Sequence, residues 1–301
     1  MAVIGEQRRL GDRFAVHPRL LYWIARLPFG GVGRAGVRAH KFSVRGWYQL
    51  LSLLDRRASM TFMNYGYAPL DPGDPGLRLA DGDAQDRYCI QLYHRVAAAA
   101  DLRGKDVLEV GSGRGGGSAY VARQLGPRAL TGVDFARNAV SFCRRRHRHD
   151  GLSFTRGDAE RLPFPDASFD AVLNVESSHC YPDVDRFLAE ARRVLRPGGP
   201  LLFADMRSRA GLPALREQFA RAGLAVEEEE EITPNVLRAL ELDDARKRGL
   251  IAAECPRALR PLFRCFAGME GTESNRAFRS GTWGYWRFLL RAPGAGPEDG
   301  Q

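Results

Sequence analysis

Three acidic residues recur along the middle of the chain, and each stands at or near the end of a segment with strand character. Glu109 precedes a glycine-rich loop, whereas Asp134 and Asp158 close the next two segments. Parallel strands bring their carboxyl ends to one edge of a sheet, so we expect these three carboxylates to face a common ligand there. Such a site suits a ligand that carries a cation together with hydroxyl and amine donors.

The glycine-rich loop reads VLEVGSGRGG and begins where the first of these segments ends. Gly111 and Gly113 allow the backbone to approach a bound molecule closely. Together with Gly116 they also fit the G-x-G-x-x-G pattern of dinucleotide-binding proteins, so the loop alone leaves NAD open. Glu109 separates the two hypotheses, because a carboxylate there repels a pyrophosphate and attracts the ammonium of an amino-acid group.

The other two acids suit the nucleoside part of the same ligand. Asp134 is placed to accept hydrogen bonds from both ribose hydroxyls, and Phe135 beside it can stack on a base. Asp158 can accept a hydrogen bond from an exocyclic amine, with the backbone N–H of Ala159 near the ring. Three acids without a phosphate-binding loop favour S-adenosylmethionine (SAM) as the cofactor and disfavour NAD.

A glutamate and a histidine follow the fourth strand segment in the sequence NVESSHCYP. The sulfonium methyl group of SAM is already electrophilic, so catalysis consists mainly of aligning an acceptor with it. A hydroxyl acceptor must also lose its proton, and histidine titrates near neutral pH. We therefore predict His179 as the general base, while Glu176 either orients it or binds the methionine end of SAM. The alternative is that His179 only caps the turn between strand and helix.

Two further sets of side chains are weighed as reactive sites, and the sequence disfavours both. Cys180 adjoins His179, but neighbouring side chains point apart and no third member of a nucleophilic triad is evident. Cys143, His147, His149 and Asp150 lie close in sequence, yet they lack metal-binding spacing and fit the polar face of a helix better. We predict no metal site.

The elements that would position these residues alternate between strand and helix from residue 105 onward. Such alternation predicts an α/β fold with a doubly wound, mainly parallel, Rossmann-like sheet. The predicted units are a helical N-terminal arm and connector at 1–84, an α/β core at 85–232, a helical lid insertion at 233–280, a final core strand at 281–293 and a disordered tail at 294–301.

The composition indicates a folded protein whose positive charge is concentrated in the arm. Apolar residues make up 44% and charged residues 27% of the 301 residues, which is typical of globular chains. The net charge is +9, and eleven basic against three acidic side chains give residues 1–60 a local +8. No apolar run suits a membrane span or signal peptide, and the five cysteines lack paired spacing. We predict a cytoplasmic protein whose arm either contacts a membrane peripherally or packs on the core or a second subunit.

Several motifs together are similar, in order and spacing, to those of class I SAM-dependent methyltransferases: VLEVGSGRGG, GVD, GDAERLPF and EARRVLRPGG. From about residue 60 to 293 the chain also resembles the actinobacterial phthiotriol and phenolphthiotriol dimycocerosate methyltransferases, through FMNYGYAP, QLYHR, LNVESSHCYP and ITPNVLRAL. The resemblance implies O-methylation of a hydroxyl on a long lipid. It also implies that Tyr65, Tyr67, Tyr93 and His94 belong to a segment folded over the cofactor, and the alternative is that they only pack on the core.

The sequence therefore predicts an enzyme that methylates a hydroxyl of a hydrophobic small molecule, such as a lipid or a polyketide. One alternative keeps the fold but methylates carbon, or guides a cyclisation, on a prenyl or polyketide skeleton. An RNA methyltransferase is disfavoured, because the chain shows no nucleic-acid module and no N/D-P-P-Y/F motif. An NAD-binding protein and a membrane-attached binding module without enzymatic activity complete the alternatives.

Overall fold

A computed structural model of the protein describes residues 60–71 and 73–294. The predictions of helices in most of the N-terminal arm and of a disordered tail fall outside the described residues. None of the helices in the described ranges is long and apolar enough to cross a membrane.

One sheet of seven strands forms the centre of the described part of the chain. Its strands are β1 (Asp106–Val110), β2 (Ala129–Asp134), β3 (Leu152–Arg156), β4 (Ala171–Val175), β5 (Pro200–Ser208), β6 (Ala225–Glu231) and β7 (Trp283–Arg291). The strand order is β3-β2-β1-β4-β5-β7-β6, in which the first five strands are parallel and β7 runs antiparallel to both neighbours. The predicted doubly wound, mainly parallel sheet is confirmed.

Five helices follow the core strands or precede the sheet: α1 (Arg87–Ala97), α2 (Gly116–Gln124), α3 (Arg137–Arg146), α4 (Val184–Val194) and α5 (Leu212–Arg221). Three more occupy the insertion between β6 and β7: α6 (Thr233–Glu254), α7 (Arg260–Phe266) and α8 (Glu273–Arg279). A short 3-10 helix, Ser178–Cys180, follows β4. That the insertion works as a lid stays a prediction.

Alternate residues of the central strands face opposite layers of helices, as the pleat of a strand requires. Val107 belongs to the same apolar cluster as Leu92 of α1 and Tyr120 of α2. Its neighbour Leu108 belongs to the cluster of Leu188 of α4 on the opposite face. Because both faces of the sheet are covered, the cleft described next lies at the strand ends.

Candidate active site

A cleft opens at the carboxyl ends of β1, β2 and β4, where the strand order reverses between β1 and β4. In an open α/β sheet this is the place where ligands bind. The cleft encloses about 1260 Å³ including its open mouth. Predicted site residues in its lining are Tyr93, Gly111, Gly113, Asp134, Phe135, Asp158, Ala159, Glu176 and His179.

The glycine loop lies against the floor of this cleft in a conformation that requires glycine. Gly111 and Gly113 have φ values of +78° and +53°, in the left-handed region. A Cβ atom on Gly111 would collide with the Ser177 side chain, and one on Gly113 would lie 2.6 Å from Met63 Cε. The loop is held to β2, because the N–H groups of residues 111 and 112 donate to the carbonyl of Val133 at 2.8 and 3.0 Å.

Asp134 stands at the end of β2 with its carboxylate fixed by the backbone. Its Oδ2 accepts a hydrogen bond from Gly113 N at 2.9 Å, and its Oδ1 accepts one from Ala136 N at 2.8 Å. Burial raises the pKa of this carboxyl to about 6. Each oxygen can accept a further hydrogen bond, so the geometry suits the paired hydroxyls of a ribose.

The residues predicted to hold the adenine ring of SAM flank Asp134 at the same end of the cleft. Phe135 is 37% exposed, and the Arg156 guanidinium lies 5.9 Å from its ring centroid. Asp158 Oδ1 accepts a hydrogen bond from Glu160 N at 3.0 Å, which orders the turn that carries Ala159. These residues fit one end of a flat aromatic ligand, and their contacts with an adenine stay predictions.

Glu109 lies behind the glycine loop and does not line the cleft. It is fully buried, and its carboxylate accepts hydrogen bonds from Tyr93 Oη at 2.8 Å and from Ser118 Oγ. Gly117 leaves the space that this arrangement needs, because a Cβ there would collide with the Tyr93 ring. Burial raises the pKa of Glu109 to about 7. Tyr93 therefore stands between Glu109 and the cleft, and the predicted contact of Glu109 with an ammonium stays a prediction.

His179 is held in the cleft by Asp205, a residue of β5. Its Nδ1 lies 2.7 Å from Asp205 Oδ1. The carboxylate is itself fixed, since it accepts hydrogen bonds from the backbone N–H groups of His179 and Met206, each at 2.8 Å, and lies 3.2 Å from Arg207 Nη1. An anchored carboxylate on Nδ1 sets the orientation and tautomer of an imidazole, which is what a general base needs.

The charges of this pair reinforce one another. Burial lowers the pKa of His179, but the adjacent Cys180 sulfur and the Asp205 carboxylate outweigh it, and the pKa lies well above its usual range. Burial raises the pKa of Asp205, yet His179 and Arg207 hold it below its usual range. Asp205 is therefore ionised, and proton exchange in this pair takes place on His179.

Sequence reasoning missed Asp205, although one signal for it exists. It stands near the carboxyl end of the apolar run PLLFADM, at the same sheet edge as the other site residues. A lone acid in such a strand has to be paired if it is buried. What the sequence could not provide is its partner, because His179 lies 26 residues away and only the pairing of β4 with β5 joins them.

Glu176 directly follows β4 and has a strained backbone, with a φ of +46°. Its Oε1 accepts a hydrogen bond from the backbone N of Tyr65 at 2.8 Å, and burial raises its pKa to about 7. In the described part of the chain, the buried Tyr285 hydroxyl has no hydrogen-bond partner of normal geometry, and it interacts electrostatically with Glu176. Glu176 thus ties the segment before α1 to the edge of the sheet.

The segment 61–65 lines the cleft, and its folding over a bound cofactor stays a prediction. Thr61 O accepts a hydrogen bond from Gly116 N at 3.2 Å, and Phe62 contacts the Tyr93 ring edge-on at 5.9 Å. Within the described ranges, Tyr65 and Tyr93 line the cleft, whereas Tyr67 and His94 are not part of its lining. His94 Nδ1 lies 2.8 Å from Tyr120 Oη of α2.

The cysteine and histidines near the end of α3 differ from the prediction of one polar helix face. Cys143 is fully buried, and its Sγ donates to Gly113 O at 3.4 Å. The helix ends at Arg146, so His147 leaves it, and its Nε2 lies 2.8 Å from Arg114 O. Among the residues that the structure describes, no group of three His, Cys, Asp or Glu side chains is arranged to hold a metal ion.

The prediction that the side chains of His179 and Cys180 point apart was wrong. His179 and Cys180 belong to the 3-10 helix after β4, where successive side chains are about 120° apart rather than opposed as in a strand. Both residues line the cleft. Asp205 also supplies the third charged member that the sequence did not reveal.

Comparison with known proteins places this site in a recognised group. Residues 108–203 match the sequence profile of a methyltransferase domain. The phthiotriol/phenolphthiotriol dimycocerosates methyltransferase of Mycobacterium tuberculosis H37Ra is 42% identical over 84% of this chain and 94% of its own length. The fatty-acid O-methyltransferase of Mycolicibacterium smegmatis is 47% identical over 67% of this chain and 73% of its own length.

Solved structures share the fold with different chemistries. The [4+2]-cyclase SpnF superimposes with a TM-score of 0.63 at 23% identity, covering 84% of this chain and 96% of its own. Geranyl diphosphate C-methyltransferase from Streptomyces coelicolor gives 0.57 at 18% identity, covering 82% and 98%. At these identities the likeness shows the fold alone.

Proposed function

Since the chain belongs to the family of SAM-dependent methyltransferases that includes the phthiotriol/phenolphthiotriol dimycocerosates methyltransferases, we propose that it transfers the methyl group of SAM to a hydroxyl of a hydrophobic small molecule. The observation that carries the choice of oxygen is the His179–Asp205 pair inside the cleft. A hydroxyl must lose a proton as it is methylated, and this pair provides an oriented acceptor for that proton.

The cleft residues divide between cofactor and acceptor. For the cofactor, Asp134 would bind the ribose hydroxyls, and Phe135, Asp158 and Ala159 would hold the adenine. The glycine loop would lie against the rest of SAM. A Cβ atom on Gly111 or Gly113 would collide with neighbouring side chains. When bound, SAM supplies an electrophilic methyl group. Tyr93, which donates a hydrogen bond to Glu109, would contact the amino-acid end of SAM in place of that carboxylate.

Apolar side chains in the cleft lining support a hydrophobic acceptor. Phe62, Met63 and Met206 line the cleft, together with Phe266 from α7 of the insertion. Behind them, Met60 and Met63 pack against an apolar cluster formed by Ile251, Leu262 and Phe263. Methionine side chains adapt to irregular apolar shapes, which suits an alkyl or polyketide chain. The insertion therefore contributes to the acceptor side, in keeping with the proposed lid.

A second candidate acceptor is a carboxylate, favoured by the 47% identity to a fatty-acid O-methyltransferase. A fatty acid is already ionised at neutral pH, so its methylation needs alignment but no general base. The two acceptors consequently place different demands on His179.

The test compares a long-chain alcohol with the fatty acid of the same chain length, each with SAM that carries a deuterated methyl group. We expect the alcohol to give a methyl ether, identified by mass and by the NMR shift of a methoxy group. A methyl ester alone would support the carboxylate reading instead. A new methyl group on carbon, or a cyclised product without the label, would contradict O-methylation.

We propose in addition that the basic arm before residue 60 binds anionic membrane surfaces, where a lipid acceptor would be found. Its local charge of +8 supports this, because each cation near an anionic surface contributes about 1 kcal/mol. The full chain is expected to co-sediment with anionic vesicles and to be released by salt, whereas a chain lacking residues 1–58 stays in solution. Full-length protein that stays in solution at low salt would favour packing of the arm on the core or on a second subunit, which light scattering would detect.

A further inference from the structure

A separate apolar cluster lies in the helical insertion, apart from the two clusters that flank the sheet. Its buried members come from the end of α6, from α7 and from the turn after α7: Ile251, Cys255, Leu262, Phe263 and Met269. Met60 and Met63, from the segment before α1, pack against this cluster, and so does Phe266, the last residue of α7. The insertion is thus joined by apolar contacts to the segment that lines the cleft.

Two of the side chains at this cluster also face the cleft. Met63 and Phe266 line the cleft and pack against the cluster at the same time, and Phe266 is half-buried. Met63 reaches the glycine loop, since its Cε lies 2.6 Å from the position that a Cβ atom on Gly113 would occupy. The two side chains therefore form a boundary between the cleft and the apolar cluster of the insertion.

The backbone on both sides of Phe266 is fixed by hydrogen bonds from α8. Ser274 Oγ donates to Cys265 O at 2.7 Å, and Asn275 Nδ2 donates to Gly268 O at 3.1 Å. A phenyl ring on a fixed backbone is a rigid wall, whereas a methionine side chain adapts to the shape that it contacts. Of the two boundary side chains, Phe266 is therefore the one that can set a limit.

We propose that Phe266 is a specificity-determining residue, whose ring limits the length of the alkyl chain that an acceptor can place in the cleft. An alkyl chain has no polar group that marks its length, so its length is selected by how many methylene groups are buried and where they meet a wall. Each buried methylene contributes about fourfold to affinity, and a chain that is too long must displace the wall. The inference rests on the proposed function for the identity of the acceptor.

The experiment measures kcat/KM of the full chain for primary alcohols and fatty acids of increasing chain length. The wild-type protein should show an optimum length, beyond which kcat/KM falls. Phe266→Ala should move this optimum to longer chains, with a gain of about fourfold in relative kcat/KM for each added methylene. Phe266→Trp should move the optimum to shorter chains, and a partly unfolded protein cannot produce such opposite shifts. Calorimetry of the same acceptors with protein loaded with S-adenosylhomocysteine measures the length dependence without turnover.

Phe263→Ala is the matched control. It removes the same side chain from the same helix and cluster, and Phe263 lies outside the cleft lining in the described structure. The variant should unfold at a lower temperature because of the cavity, and its optimum length should not change. An optimum that stays in place in both Phe266 variants, or that moves equally in Phe263→Ala, would overturn the assignment while leaving methyl transfer intact. Acceptors that bind with the expected length dependence but are not methylated would contradict the proposed function and support the role of Phe266.

Discussion

His179→Ala is expected to lower kcat for an alcohol acceptor by about 10²–10⁴-fold, with SAM affinity changed by no more than about twofold. The reason is that His179 accepts the proton of the acceptor and lies outside the residues that would hold the cofactor. Steady-state kinetics with saturating SAM and calorimetry with SAM alone measure the two quantities. The same variant should retain methylation of a fatty acid, which brings no proton that must be removed.

The matched control for this variant is His94→Ala. His94 hydrogen-bonds to Tyr120 and does not contribute to the cleft lining, so the same loss of an imidazole should leave turnover unchanged. Equal losses in the two variants would point to a general effect on folding. Full activity of His179→Ala with an alcohol would leave His179 a structural residue of the turn.

Asp205→Asn tests the pair through pH. A general base works when deprotonated, so activity should rise with pH through the pKa of His179, which lies above its usual range because Cys180 and Asp205 outweigh burial. Removing the Asp205 charge destabilises the protonated imidazole and lowers that pKa. The acidic limb of the pH–rate profile should therefore move to lower pH while the plateau falls. A limb that does not move would show that another group titrates there.

Residue patterns predicted the parts of this site that depend on local sequence and on the general behaviour of parallel sheets. Asp134 and His179 could be placed at one sheet edge because strand periodicity and glycine turns mark where β2 and β4 end. The direction of the Cys180 side chain could not be predicted, because the sequence does not distinguish a 3-10 turn from an extended exit, and side-chain directions differ between the two. The local sequence pattern predicts where along its strand a residue lies. Which residues it contacts depends on the order of the strands in the sheet.

The surroundings of Glu109 could also not be predicted from the local sequence. It lies near the carboxyl end of β1, where a contact with the cofactor was predicted. However, α1 packs over it and brings the Tyr93 hydroxyl to 2.8 Å from its carboxylate. Gly117 on α2 permits this approach, since any larger residue would meet the Tyr93 ring. The layering of two helices on the sheet thus decides whether an acid faces the ligand or supports a residue that does.

Asp134→Ala is expected to weaken SAM binding by roughly 10- to 150-fold, because loss of a charged acceptor for buried hydroxyls costs about 1.5–3 kcal/mol. Titration calorimetry measures the change, with Asp150→Ala as the matched control, since Asp150 is exposed and lies outside the cleft lining. NAD should not bind to either protein. Tight NAD binding, or unchanged SAM affinity in Asp134→Ala, would overturn the cofactor site as assigned.

The pH dependence of SAM binding gives a second and independent measure of the same carboxylate. Burial raises the pKa of Asp134 to about 6, and the ionised form is the one that accepts two ribose hydroxyls. Affinity should therefore be full above this pKa and fall as the pH drops through about 6, since binding must then first remove a proton. Asp134→Asn, which keeps the shape and removes the charge, should bind weakly at every pH and lose this step. Glu109 has a pKa of about 7, so a step that persists in Asp134→Asn and disappears in Glu109→Gln would assign it to the carboxylate behind Tyr93.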